Sequence, residues 1–158
     1  MGAAYFYHLT ESSLEQALPL LLGKALEAGW RIEVRGTDAQ QIEALDLALW
    51  GGAETGFLPH GVAGGDHDAH QPILLTSDGR KPQNDVTCIA CVHGAPVSAE
   101  EVTKAERTMI LFSGFDDNLV HLARTAWKDL TSQNVAAQYW AQEDGRWTKK
   151  AESAPKDQ

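Results

Sequence analysis

The 158 residues carry 22 acidic against 13 basic side chains, a formal charge of −9, with 43% hydrophobic and 22% charged residues. Such a length and balance suit one compact domain, and the charge argues against broad binding to DNA, which needs Lys and Arg to neutralise phosphates. No run approaches the ~18 apolar residues of a membrane span, the opening MGAAYFYHLT lacks a secretory or myristoylation pattern, and two cysteines make no disulfide framework, so the expectation is a cytoplasmic chain.

Residues 3–9 (AAYFYHL) read as a first strand, short and rich in aromatics. Thr10, Ser12 and Ser13, with Glu15 and Gln16 following, are candidate caps for a helix on which Leu14, Leu18, Leu21, Leu22, Ala25 and Leu26 recur at helical spacing; Gly29 stops it. Pro19 is late for a first-turn proline and predicts a kink or a later start. The run WRIEVR at 30–35 alternates as a half-buried strand does, and Thr37-Asp38 caps a second helix carrying Ile42, Leu45, Leu49 and Trp50. Strand, helix, strand, helix with short links predicts a βαβ arrangement.

From 51 to 71 the periodicity dissolves into GGAETGFLPHGVAGGDHDAHQ, a glycine-rich stretch that reads as a long functional or mobile loop. Residues 72–75 are a short buried strand, 78–84 are turn material, and 86–92 a further strand. A short helix follows Ser98, the apolar run 107–112 continues it or forms a strand, and Gly114 breaks the chain before a clear helix capped at Asp116 or Asp117. Residues 136–142 and 146–150 pair as a hairpin turning at Asp144-Gly145. The expected fold class is α/β: one domain over residues 1–150, a Rossmann-like mixed, partly parallel sheet flanked by helices on both faces, with 151–158 a loose tail.

Cofactor chemistry finds little support. Neither GxGxxG after the first strand nor GxxxxGK[ST] occurs, so no nucleotide or other cofactor is expected. Cys88 and Cys91 have CxxC spacing but fall within a strand, where residues three apart face opposite sides; they read as small buried hydrophobes. Asp66, His67, Asp68 and His70, with His60 nearby, form the one metal-like cluster, and a glycine-rich loop offers little rigidity to hold ligands. No metal site is therefore expected, and a small metal-dependent or nucleotide-handling enzyme built on 51–71 is the alternative reading. No nucleophile elbow appears.

The helix from 117 to about 130 has the most interpretable surface. At about 100° per residue, Leu119, Leu122, Ala123, Ala126 and Leu130 gather into a core stripe. Val120, Arg124, Trp127 and Lys128 cluster on one flank of it. Two cations one turn apart beside an aromatic and an apolar residue suit a peptide bearing an apolar side chain and a carboxylate: Arg forks onto the carboxylate and Trp and Val wall the apolar group. The competing reading packs Trp127 on the domain's own edge and leaves the cations solvated.

Several segments in order, namely YFYHL, GWRIEVRGTDAQQIEALDLALW, GFLPHGVAG, QPILLT and NLVHLARTAWKDL, with the later YW and GRW, resemble the chi subunit family of DNA polymerase III over residues 4–149. The resemblance implies a non-catalytic adaptor of the clamp loader that binds the acidic, apolar-ended C-terminal tail of single-stranded-DNA-binding protein. In that family the tail meets an Arg-x-x-aromatic-Lys helix pattern, matched here by Arg124, Trp127 and Lys128; Trp127 stands where familiar members have tyrosine, and Val120 where they can carry another cation. It also implies a psi-subunit contact around Trp50 and Phe57, and no direct contact with nucleic acid.

Overall fold

The computed structural model describes residues 2–50, 60–64, 68–77 and 85–154. The strands are β1 (Ala3–Leu9), β2 (Ile32–Arg35), β3 (His60–Val62), β4 (Ile73–Thr76), β5 (Cys88–Cys91), β6 (Arg107–Ser113), β7 (Ala136–Glu143) and β8 (Arg146–Ser153). The helices are α1 (Leu14–Glu27), α2 (Ala39–Trp50), α3 (Ala99–Lys104) and α4 (Asp117–Ser132). All eight strands join one sheet in the order β3-β4-β2-β5-β6-β1-β7-β8. Every pairing is parallel except the closing β7–β8 hairpin. The mixed α/β class expected from the sequence is the one observed.

Alternation along the strands divides the interior into two cores. Tyr7, Ile32, Val34, Met109 and Leu111 point to the face covered by α1 and α2, whose Leu18, Leu22, Ile42 and Leu45 pack onto them. Phe6, Ile89, Ile110 and Phe112 point to the other face, beneath Val102 of α3 and Ala123 and Leu130 of α4. Burying such a side chain completely stabilises the fold by about 1.5–3 kcal/mol, so both layers of helices are held chiefly by their apolar stripes.

Local chemistry sets the element ends. Ser13 and Gln16 form a reciprocal capping box on α1, and Ser98 and Glu101 do the same on α3. Asp116 caps α4 by accepting from the Asn118 and Leu119 amides at 3.0 and 3.1 Å. α1 runs unbroken through Pro19. At the hairpin, Asp144 and Gly145 both take positive φ (51° and 76°), which suits the right-handed strand twist and favours Asp-Gly. The loop between β1 and α1 is clamped from β7: Gln142 Oε1 accepts from the amides of Thr10, Glu11 and Ser12 at 2.8–3.1 Å. Glu11 in return accepts the amides of Asp144 and Gly145.

Three details correct the sequence reading and one, at 107–113, decides between its two alternatives. Glu33, expected on a half-exposed strand, is 1% exposed, because β2 lies between β4 and β5 with its polar face also covered. Its charge is met there by Arg35, which donates to both Glu33 oxygens at 2.9 and 3.2 Å and also bonds Glu101, while Thr76 Oγ1 donates at 2.6 Å. His60–Val62 forms a strand inside the stretch read as loop, paired with β4. Residues 107–113 form β6 rather than extending the preceding helix, since the chain turns extended at Ala105 (ψ 156°). β8 continues to Ser153 through pairing with β7, so residues 151–153 belong to the sheet.

Candidate partner-binding site

α4 connects β6 to β7 and must cross over β1, which lies between them. One flank of the helix therefore looks down on side chains of β1, β6 and β7. Phe6 and His8 of β1, Phe112 of β6 and Tyr139 of β7 share that face.

Trp127 reaches into this corner. Its ring meets Phe6 edge-on at 5.4 Å between centroids and Tyr139 edge-on at 6.0 Å. Val120 is half-buried against the same core. Arg124 and Lys128 stand exposed above them. Of the four residues on this flank, two thus form an apolar floor and two a cationic lip. Trp127 packs on the domain's own sheet and Arg124 and Lys128 are exposed on the same flank, as the competing reading expects.

The floor continues into two residues that helix spacing alone does not find. Tyr139 Oη lies 3.0 Å from His8 Nδ1, and the His8 ring stacks on Phe112 at 4.9 Å. Gly114 makes room for this histidine: a Cβ there would lie 2.5 Å from His8 Nε2 and 2.9 Å from the Leu9 carbonyl oxygen. Burial, with a smaller contribution from Arg124, holds the His8 ring below the usual histidine range. Burial also pushes the Tyr139 hydroxyl up, against the opposing pull of Arg124. Both groups are therefore neutral near pH 7, and the positive charge at this corner comes from Arg124 and Lys128. A neutral, hydrogen-bonded aromatic floor beneath two cations can take a carboxylate and an apolar group together.

Leu122, placed by spacing on the core stripe, is 44% exposed. The stripe expectation presumes complete cover, but the chain at 94–97 passes beside this part of α4 and leaves a gap. Leu119 is only partly buried for the same reason.

The other candidate surface lies at the end of α2. Trp50 is 52% exposed and its ring lies tilted against His60, with 4.2 Å between centroids. Leu47, one turn earlier, is 71% exposed. Phe57 lies outside the described residues.

For the metal-like loop, Asp66 and His67 also lie outside the described residues. His60 is buried, with Nε2 3.2 Å from the Asp46 carboxylate. Asp68 accepts from the Gly64 amide at 2.8 Å, and His70 is exposed in a short 3-10 turn. Among the described residues, no three His, Cys, Asp or Glu side chains gather as a metal site would need. Cys88 and Cys91 lie in opposite cores, as strand alternation requires, and burial pushes each thiol up to about 12. Among the described residues, no helix is long and apolar enough to cross a membrane.

A family model described as DNA polymerase III chi subunit, HolC, matches residues 1–138, which include all of α4. A relative named probable DNA polymerase III subunit chi, from Rickettsia prowazekii (strain Madrid E), is 24% identical over 147 residues, covering 90% of this chain and 88% of its own length. With the match spanning most of the chain, it belongs to the DNA polymerase III chi subunit family, an accessory and non-catalytic component of the polymerase assembly.

Proposed function

We propose that this chain is a replisome adaptor that takes the acidic C-terminal tail of single-stranded-DNA-binding protein on the flank of α4 facing β1 and β7, and links it to the clamp loader. The observation that carries this reading is the pair of exposed cations, Arg124 and Lys128, one turn apart above the half-buried Trp127–Tyr139 floor. Among the described residues, neither side chain has a hydrogen-bond or ion-pair partner. The Arg124 fork suits a carboxylate of the tail, and its apolar terminal side chain would lie against Val120 and Trp127.

The chain's net charge of −9 repels an acidic tail at a distance. Beyond about 8 Å at physiological salt that repulsion is screened, whereas a contact pair is not. Local charge therefore decides the outcome. Binding at this flank would tether the polymerase assembly to protein-coated single strands and raise its effective concentration there. The link to the clamp loader, through a psi subunit or an equivalent component, fits the exposed Trp50 and its neighbour Leu47, with Phe57 following in sequence.

The test is titration of a peptide copying the tail of the organism's own single-stranded-DNA-binding protein against the folded chain, at low and physiological salt. Saturable binding that weakens with salt and falls about 30-fold or more in Arg124→Ala/Lys128→Ala is expected, from about 1–2 kcal/mol per charge-assisted contact. Absence of binding to the folded wild-type chain at low salt overturns the proposal.

A further inference from the structure

The opposite flank of α4 has a different character. Between the helix and residues 94–97 runs a trough of about 280 Å³, walled by Pro96 and Val97 on one side and by Leu119, Leu122 and Ala126 on the other. Leu119 and Phe112 are shared with a second hollow of about 430 Å³ that continues past the helix N-terminus toward Phe115 and the start of α1. Phe115 is 80% exposed and Leu122 44% exposed. Of six large hydrophobic side chains exposed among the described residues, these two alone flank an apolar trough rather than stand on the outer faces of α1, α2 and β3.

Charge around the trough has one sign. Asp129 closes one end, and Glu15 and Glu11 line the other. Glu11 is already engaged by two backbone amides, which leaves Glu15 and Asp129 to face a ligand. Among the described residues, no lysine or arginine lines either hollow. His93, which lines the second, is held below the usual histidine range by burial, despite the raising effect of Glu15 and Asp38, and adds no full cation near pH 7.

We propose that this trough is a second docking surface, and that its occupant is a cationic amphipathic helix of a partner protein. Leucine-type side chains at i, i+3, i+4 and i+7 would enter between Leu122 and Val97, and lysines or arginines on their borders would meet the carboxylates at the two ends. The distance along α4 from Leu119 to Asp129 is about 15 Å, which matches a helix of about three turns. The occupant carries the opposite charge to the tail proposed for the Arg124–Lys128 flank. One helix of this fold would then hold two partners of opposite charge on its two sides.

The probe is a fluorescein-labelled peptide of about 14 residues with leucine and lysine at amphipathic helical spacing; a scrambled peptide of the same composition is the control. Fluorescence anisotropy is read against the full chain at physiological salt. The amphipathic peptide should bind saturably, and at least about tenfold tighter than the scrambled one. Leu122→Ser and Phe115→Ser should each weaken it about tenfold or more. Both positions are exposed, so their thermal midpoints should stay near wild type. Equal binding of the scrambled peptide, or no loss in either variant, overturns the proposal. Concentration-dependent self-association in sedimentation that Leu122→Ser abolishes would overturn it as well, by assigning the trough to a second copy of this chain.

Discussion

Trp127 is the residue most tempting to mutate in testing the tail site, and the structure says that Trp127→Ala misleads. The indole meets Phe6 at 5.4 Å and Tyr139 at 6.0 Å, both edge-on. Truncating a fully buried tryptophan costs about 3–5 kcal/mol, and each aromatic pair adds about 0.5–1.5 kcal/mol beyond its area. Because Trp127 is half-buried, the lower end applies, about 2–3 kcal/mol. For a domain of this size that lowers the thermal midpoint by about 4–12 °C. Arg124→Ala/Lys128→Ala removes two exposed side chains that have no hydrogen-bond or ion-pair partner among the described residues, and should stay within about 1 kcal/mol of wild type. Urea unfolding followed by far-ultraviolet circular dichroism measures both variants, with tail titration at a temperature where each is folded. A Trp127→Ala chain as stable as wild type would refute the packing described here. A double-charge variant as unstable as Trp127→Ala would refute its use as a clean probe of binding.

Two further outcomes follow from the interior. Arg35→Met strands the Glu33 carboxylate, which is 1% exposed, with Thr76 the only remaining donor among the described residues; the expected loss is about 3–5 kcal/mol, read by thermal denaturation, and adding Glu33→Gln should recover part of it. Cys88 and Cys91 should resist a thiol reagent such as Ellman's in the native chain at pH 8 and react fully in guanidinium, since burial pushes both thiols up to about 12; prompt reaction of the native chain would contradict their placement in the cores.

What was legible in the sequence was mostly local. The capping run at 10–13, the Asp116-Asp117 cap and the Asp144-Gly145 turn each state a backbone geometry in a few adjacent residues, and the structure has all three, with Ser13 and Asp116 as the caps. The strand alternation of Cys88 and Cys91 was equally readable. Glu33 was not, because alternation marks a polar residue as outward-facing without indicating that Arg35, Glu101 and Thr76 meet on that side. His8 and Tyr139 escaped for a related reason: they are 131 positions apart and meet only because β1 pairs with β7. Helix spacing found Val120, Trp127 and the Arg124–Lys128 lip but had no access to the strand residues that extend the floor beneath them.

The misplacement of Leu122 carries the more general point. A helical wheel assigns an apolar residue to the core whenever it falls near the stripe, and it cannot register how much of the stripe the neighbouring chain covers. Ala123 and Leu130 lie directly over β6 and β7 and are buried; Leu122, about 100° from Ala123, overhangs the segment 94–97, where Gly94 presents no side chain to meet it. Substituting that glycine would change the shape of the trough, since a Cβ would lie 3.0 Å from Leu122 and 3.3 Å from Leu119. Gly94 also has φ 82°, a conformation that other residues adopt at a cost. One backbone position thus leaves space between α4 and the segment after β5 by having no side chain. The exposure of Leu122 follows from that geometry, and the same two leucines that would cover a simple core instead border a groove with carboxylates at its ends.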